Sequence, residues 1–236
     1  MERLDKILSA VLKISRSDVK KIIKKQHLTV NGTAVKSGDI KIDPDKDIIK
    51  LNGQTLTYQK HIYIMMNKPE GVISASNDRS QKTVVDLVPE ELKRDGLFPA
   101  GRLDGDTTGF VLITDDGDFA HRILSPKNHI EKTYHARLAQ PISEDDIEKF
   151  KNGIELKDGT LCLEAKLAVL ESGENPLVEV IIHEGKYHQV KRMFAALGNK
   201  VIGLKRVKMG GLDLDPSLGS GLCREITDDE LKLITK

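Results

Sequence analysis

The chain has 236 residues but no tryptophan, only two cysteines, and aromatic side chains at just 4%. Cys162 and Cys223 have neither metal-ligand spacing nor the density of a secreted disulfide scaffold. They read as small core residues or free thiols of a reducing cytoplasm. No apolar run approaches the length of a membrane span, which excludes a membrane partner of that kind. The opening residues, Met1-Glu2-Arg3-Leu4-Asp5-Lys6, carry no secretory pattern, so the expected location is cytoplasmic. Internal repeats and low-complexity tracts are absent as well. What is present suits a globular protein: 39% hydrophobic and 31% charged residues, with length for one large domain or a large and a small one.

A net charge of +1 conceals an uneven distribution. The first 36 residues hold nine Lys/Arg against three Asp/Glu, and the remaining 200 hold 28 against 33. Binding to a polyphosphate depends on local basic surface rather than total charge. The N-terminal segment is therefore the electrostatic handle, and the rest must gather its positive charge into a cleft.

The densest motif is the segment 100–109, AGRLDGDTTG. Its glycines permit tight turns and close approach of a large ligand. Arg102 and Asp104, two positions apart, would share a face of an extended segment, setting a cation beside a carboxylate. A calcium loop is a poor match: Thr108 stands where an acid is required, and Asp115 replaces the closing glutamate. An aspartyl-phosphate loop of the haloacid dehalogenase type should follow a continuous buried strand, which Phe98-Pro99-Ala100-Gly101-Arg102 is not. A plain polar turn is the remaining alternative for this motif by itself. His121, His129, His183 and His188 are scattered and have no cysteine companion, so no metal site is expected.

Two further stretches accompany GRLDGDTTG in order: TDDGDFAHRILSPKNHIEKTY at 114–134 and EGKYHQVKRMFAALGN at 184–199. Together they resemble the catalytic-domain motifs of the RsuA/RluB/RluE/RluF group of pseudouridine synthases. The first 60 residues resemble the S4 RNA-binding domain that precedes the catalytic domain in this group. The resemblance implies an enzyme that breaks the N1–C1′ bond of a uridine in ribosomal RNA, turns the uracil, and rejoins it through C5. That reaction consumes nothing, so no cofactor is expected. It also implies that Asp104 is the catalytic carboxylate, that Tyr134 stacks on the uracil, and that Arg102 helps flip the nucleotide and fills its place. Lys191 lies where most pseudouridine synthases have an arginine that pairs with the aspartate; the lysine matches the 16S-modifying type rather than the 23S type. The chain ends at Lys236 without the long basic extension common among 23S members, and this points the same way. Arg192 is the rival for the pairing, about 100° away on the same helix. A monomer acting on 16S RNA, free or in a small-subunit assembly intermediate, is the expectation. Its alternatives are a 23S enzyme or a non-catalytic assembly factor.

The remaining RNA contacts are expected from basic residues. In the S4-like part these are Arg3, Lys6, Arg16, Lys20, Lys24 and Lys25; in the catalytic part, Lys132, His188, Arg192 and Arg206. Lys127, Lys186, Lys205 and Lys208 are further candidates for lining the cleft.

Periodicity predicts helices over 3–12 and after Ser15, a short strand at 28–30, and a tight turn at Asn31-Gly32. Polar residues 52–61 read as the junction between domains 1–60 and 61–236. Beyond it, strands are expected at 62–67, 72–74, 110–114, 133–138, 162–170 and 177–182. Helices are expected near 117–124, 143–151, 187–197 and 228–234. The fold class is α+β: a small S4-like domain, then a mixed, largely antiparallel sheet with flanking helices.

Overall fold

The computed structural model describes residues 1–25, 27–44 and 46–235; Lys236 lies outside them. The chain divides into two compact units, Met1–His61 and Ile62–Lys236.

In the first unit, β1 (Glu2–Arg3) leads into α1 (Leu4–Leu12) and α2 (Arg16–Lys25). Leu4, Ile7 and Leu8 face inward from α1, and Val19 and Ile23 from α2. Ser15 caps α2: its hydroxyl accepts from the Asp18 amide at 3.2 Å and donates to the Asp18 carboxylate at 2.7 Å. The strands β2 (Leu28–Val30) and β3 (Thr33–Ala34) form the expected hairpin, with Asn31 and Gly32 at positive φ. Next come β4 (Lys41–Ile42), β5 (Ile49–Leu51) and β6 (Gln54–Leu56). The last of these falls inside the expected polar junction, because Asn52-Gly53 is a second hairpin turn at φ 50° and 83°. Leu28, Ile42 and Ile49 close the core against the two helices.

The second unit is built on a nine-stranded sheet among the described residues. Its strands are β7 (Tyr63–Lys68), β8 (Phe98–Pro99), β9 (Thr107–Thr114), β10 (Lys132–Leu138), β11 (Lys166–Glu171), β12 (Leu177–Ile182), β13 (Val201–Met209), β14 (Leu212–Asp213) and β15 (Cys223–Glu225). The main path runs β11-β12-β10-β13-β9-β7-β15, with β14 on β13 and β8 on β9. Every ladder is antiparallel except β13 on β9, which is parallel.

Both faces of the centre are covered, which explains the continuous apolar run FVLI. Val111 and Ile113 join one core with Ile64, Met66 and the helices α4 (Glu144–Asn152) and α5 (Gln189–Ala196). Phe110 and Leu112 join the other with Met65, α3 (Gly117–Leu124) and α6 (Asp228–Ile234). Side chains alternate across the strand, so a strand buried on both sides shows no polar alternation.

The structure departs from the sequence expectation at several strands: β8, β14 and β15 were not expected, and β9 begins at Thr107 rather than at residue 110. Residues 72–74 make only an isolated bridge, Ile73 to Thr83. The strand expected at 162–170 starts at Lys166 and runs on to Glu171. β13 was not expected either, its Lys205, Arg206 and Lys208 having been expected only as RNA-contacting cations; it lies between β10 and β9.

The parallel seam forces one residue choice. Gly109 sits opposite Arg206 at φ 97°, and a Cβ there would fall 2.2 Å from the Arg206 carbonyl oxygen. Gly109→Ala should therefore destabilise the second unit by about 2–4 kcal/mol, through backbone strain and separation of the two strands. Urea unfolding followed by circular dichroism checks this; an unchanged midpoint would show that the seam tolerates a side chain.

Candidate active site

The GRLD loop enters β9 and is gripped from two sides. Ser74 holds Leu103 at both backbone groups, accepting from its amide at 3.0 Å and donating to its carbonyl at 3.1 Å. The Gly71 amide donates to the Gly105 carbonyl at 2.8 Å. Below the loop lies Lys68, the last residue of β7, with no exposed surface. Its ammonium donates to the carbonyls of Pro69 (3.0 Å), Gly105 (3.3 Å) and Thr107 (2.8 Å). Burial pulls the Lys68 pKa down to about 8, while the nearby Asp104 and Asp106 carboxylates act against that fall.

From the other side, α5 brings Lys191 across the loop. Its ammonium meets Asp104 Oδ2 at 3.0 Å and Asp106 Oδ1 at 2.5 Å. Burial works against the Lys191 charge, but the hydrogen bonds to Asp106 and Asp104 outweigh it and raise the pKa above the ordinary lysine value. The same bond holds Asp106 below the usual carboxylate range. The other oxygen of Asp104 faces His188 Nε2 at 3.3 Å. His188 adopts a left-handed backbone (φ 47°) immediately before α5, which turns its ring toward the loop.

Arg192 points elsewhere. It pairs with Asp158 and donates to the Tyr187 carbonyl at 3.3 Å. Of the two neighbours, Lys191 meets Asp104 and Arg192 does not, as one step of 100° around a helix requires. The start of α5 is braced by a buried network in which Gln189 and the Leu163 amide both donate to Glu184, at 2.8 and 2.9 Å.

Tyr134 on β10 is buried in the core cluster that also holds Leu103 and Val190, the chain neighbours of Asp104 and Lys191. Arg102 is exposed and forms no ion pair among the described residues. Residues 102–104 belong to no strand; Asp104 bonds to Lys191 on α5, and Arg102 is open to solvent.

Two expected RNA contacts are corrected. Lys132 is 4% exposed, and its ammonium donates to the Ile130 carbonyl at 2.6 Å. Burial pushes its pKa down to about 8. Arg206 is 3% exposed on the central strand, and its Nε donates to the Phe110 carbonyl at 2.7 Å. Both side chains are buried and committed to backbone carbonyls; they were expected at the RNA surface because they are basic. Lys127 and Lys205 are exposed, Lys208 pairs with Asp213, and Lys186 pairs with Glu184.

On the first unit Arg16, Lys20, Lys24 and Lys25 are exposed along α2. Arg3 is engaged by Asp5 and Asp39, and Lys6 by Glu2 at 3.3 Å. Sequence reasoning missed Lys68, Ser74 and Asp106 as parts of the site. A lysine ending an otherwise apolar strand, YIMMNK, was the available signal for the first. Among the described residues no three His, Cys, Asp or Glu side chains converge to hold a metal ion, and no helix is long and apolar enough to cross a membrane.

Residues 62–196, which contain this whole site, match the RNA pseudouridylate synthase family. The chain belongs to the RNA pseudouridine synthases. Residues 2–48 match the S4 domain, so the synthase carries that RNA-binding module at its N-terminus. It is 44% identical over 236 residues to the uncharacterized RNA pseudouridine synthase YtzG of Bacillus subtilis, covering 99% of this chain and 98% of that one. It is 45% identical to ribosomal small subunit pseudouridine synthase A of Vibrio vulnificus (99% and 100% covered). To the protein of that name in Escherichia coli it is 42% identical (97% and 98% covered). These relatives place the synthase in the RsuA group, as its motifs indicated. A crystal structure of a pseudouridylate synthase superposes with a TM-score of 0.69 at 42% identity, covering 99% of this chain and all of the other. The synthase is thus an isomerase.

The buried Lys68 of this synthase generates a pH prediction. In the unfolded chain a lysine stays protonated to about 10.4, whereas in the fold Lys68 loses its proton near 8. Between those values the unfolded state binds more protons, so raising the pH favours the fold; below about 8 the full penalty of the buried charge applies. Relative to Lys68→Met, the wild type should therefore gain stability from pH 7 to pH 10, by up to about 3 kcal/mol at ~1.4 kcal/mol per pKa unit. Lys132 is present in both proteins and cancels. Urea unfolding of the pair at the two pH values measures this, and a constant difference would mean that Lys68 titrates normally.

Proposed function

We propose that the protein converts one uridine of 16S ribosomal RNA to pseudouridine, with Asp104 as the catalytic carboxylate and Lys191 as its cationic partner. The observation that carries the reading is the Lys191–Asp104 bond at 3.0 Å, made inside a loop clamped by Lys68 and Ser74. The N1–C1′ bond breaks and leaves C1′ electron-poor. Asp104 either adds to C1′ or assists loss of the C2′ proton; both routes begin from its negative charge, which the ammonium stabilises. The freed uracil turns on the ring of Tyr134, and C5 bonds to C1′ as the Asp104–C1′ bond breaks or, on the other route, as C2′ regains its proton; the C5 proton then leaves and N1 takes one up. Atoms balance and no cofactor takes part.

Arg102, exposed and unpaired on the loop, is free to enter the space of an extracted uridine. Removing a base from its stack costs a few kcal/mol, and a charged planar side chain in its place offsets part of that. The S4 unit supplies the non-specific grip through the exposed cations of α2. The 16S assignment is supported by the lysine at position 191 and by the small-subunit synthases to which the chain is similar. Mapping of pseudouridine in ribosomal RNA from a deletion strain tests it: loss of one 16S position is expected, and loss of a 23S position would reassign the substrate.

Asp104→Asn should reduce tritium release from C5-labelled uridine in 16S RNA by more than a thousandfold while RNA binding persists. Lys191→Met should lower the single-turnover rate by about 100-fold or more, at roughly 1.4 kcal/mol per tenfold, and Lys191→Arg by less because the charge remains. Activity of Asp104→Asn within tenfold of wild type would overturn the assignment.

Replacing Arg16, Lys20 and Lys24 together with alanine should weaken RNA binding and flatten its dependence on salt. Each lost phosphate contact removes roughly 0.7–0.9 from the log–log slope. A salt titration with an unchanged slope would mean that these side chains only solvate the helix.

A further inference from the structure

Of the five Phe and four Tyr in the chain, Tyr187 alone is exposed, with 75% of its surface open to solvent. An isolated exposed ring is unremarkable in an aromatic-rich protein, but this chain buries or half-buries every other one. Nor is Tyr187 loosely held. One face stacks on the His188 imidazole, with ring centroids 3.8 Å apart and planes 19° from parallel. Its backbone carbonyl accepts from Arg192, and the loop before it is tied down by the Lys186 amide donating to Gln189 at 2.9 Å. His188 in turn reaches Asp104 Oδ1 at 3.3 Å. Tyr187, His188 and Asp104 therefore form a short ladder from solvent to the carboxylate, and the outer face of Tyr187 is its open end.

We propose that this outer face is a stacking subsite for the base adjacent to the target uridine in the RNA strand. The proposal rests on the reading of the protein as a synthase that extracts uridine from RNA. Extraction leaves the neighbouring base without one of its stacking partners, and an aromatic side chain replaces such a partner for any base identity. The position fits a neighbour rather than the target, because the His188 ring separates Tyr187 from Asp104. The local charge favours stacking over phosphate binding as the mode of recognition. Lys186 is paired with Glu184 and Arg192 with Asp158, so the cations beside the ring are already neutralised.

The test uses the full chain and a short RNA spanning the uridine located by mapping. The RNA is made intact, with an abasic site at the 5′ neighbour, and with an abasic site at the 3′ neighbour. On intact RNA, Tyr187→Ala should raise KM by about tenfold, within the range for one lost base–aromatic stack, with a smaller change in kcat. Tyr187→Phe should restore KM to within about twofold. On one of the two abasic RNAs, wild type and Tyr187→Ala should become equal in KM. With 2-aminopurine at that position, fluorescence should be quenched by wild type and not by Tyr187→Ala. An undiminished KM defect on both abasic RNAs, or a Tyr187→Phe protein as impaired as Tyr187→Ala, would overturn the subsite and leave the ring as a support for His188 or a surface for another protein. A wild type that forms no pseudouridine in the intact RNA rejects the mapped 16S uridine in this RNA as its substrate, whereas normal product formation with no KM change in Tyr187→Ala rejects only the subsite.

Discussion

The parallel pairing of β13 with β9 is the constraint on which the catalytic unit turns. It joins two antiparallel halves into one sheet, and it requires backbone contact so close that residue 109 has no room for a side chain. The loop bearing Asp104 is the segment that enters this seam. Its carbonyls at Gly105 and Thr107 both accept from the buried Lys68 ammonium, and that of Gly105 from the Gly71 amide as well. A charge without solvent contact is tolerated there because three oxygens accept from it and two carboxylates stand nearby. The loop bearing Asp104 is therefore held from below by a cation and from above by Lys191, with Asp104 and Asp106 between.

That arrangement divides labour between residues that look alike in sequence. Lys68, Lys132 and Arg206 are buried and serve backbone carbonyls, while Lys20, Lys24 and Lys25 project into solvent. Lys191 lies between these extremes, partly buried and facing two carboxylates. The two oxygens of Asp104 are also inequivalent: Oδ2 belongs to the ammonium and Oδ1 faces an imidazole. A carboxylate held at both oxygens in this way is preorganised, as the role proposed for Asp104 requires.

Much of this was legible in the sequence. The helices α1 to α6 were readable because apolar residues recur at helical spacing, and Ser15 and Asn31-Gly32 announce their local geometry. Asp104 and Lys191 came from motifs whose meaning does not depend on knowing the sheet. What stayed hidden traces to β13. Its composition, VIGLKRVKM, shows no apolar–polar alternation, because one of the positions buried to either side of exposed Lys205 is an arginine, Arg206. Without that strand nothing in the sequence marks Arg206 as buried, and it was expected among the RNA-contacting cations, as was Lys132 at the start of β10. Lys68 escaped because a lysine is almost never wholly buried unless its charge is met; only the three-dimensional loop reveals the carbonyls that meet it.

The position of β13 in chain order has a consequence for biosynthesis. The S4 unit is made from neighbours in sequence, and a ribosome delivers all of it before residue 62. The catalytic sheet instead waits: β9 and β10 are complete by residue 138, yet the strand that belongs between them spans residues 201–209. Contacts across such separations form slowly, because a long loop must close first. During synthesis the chain thus passes through a stage with a finished RNA-binding module and an unfinished sheet. A nascent molecule can hold RNA before it can act on it.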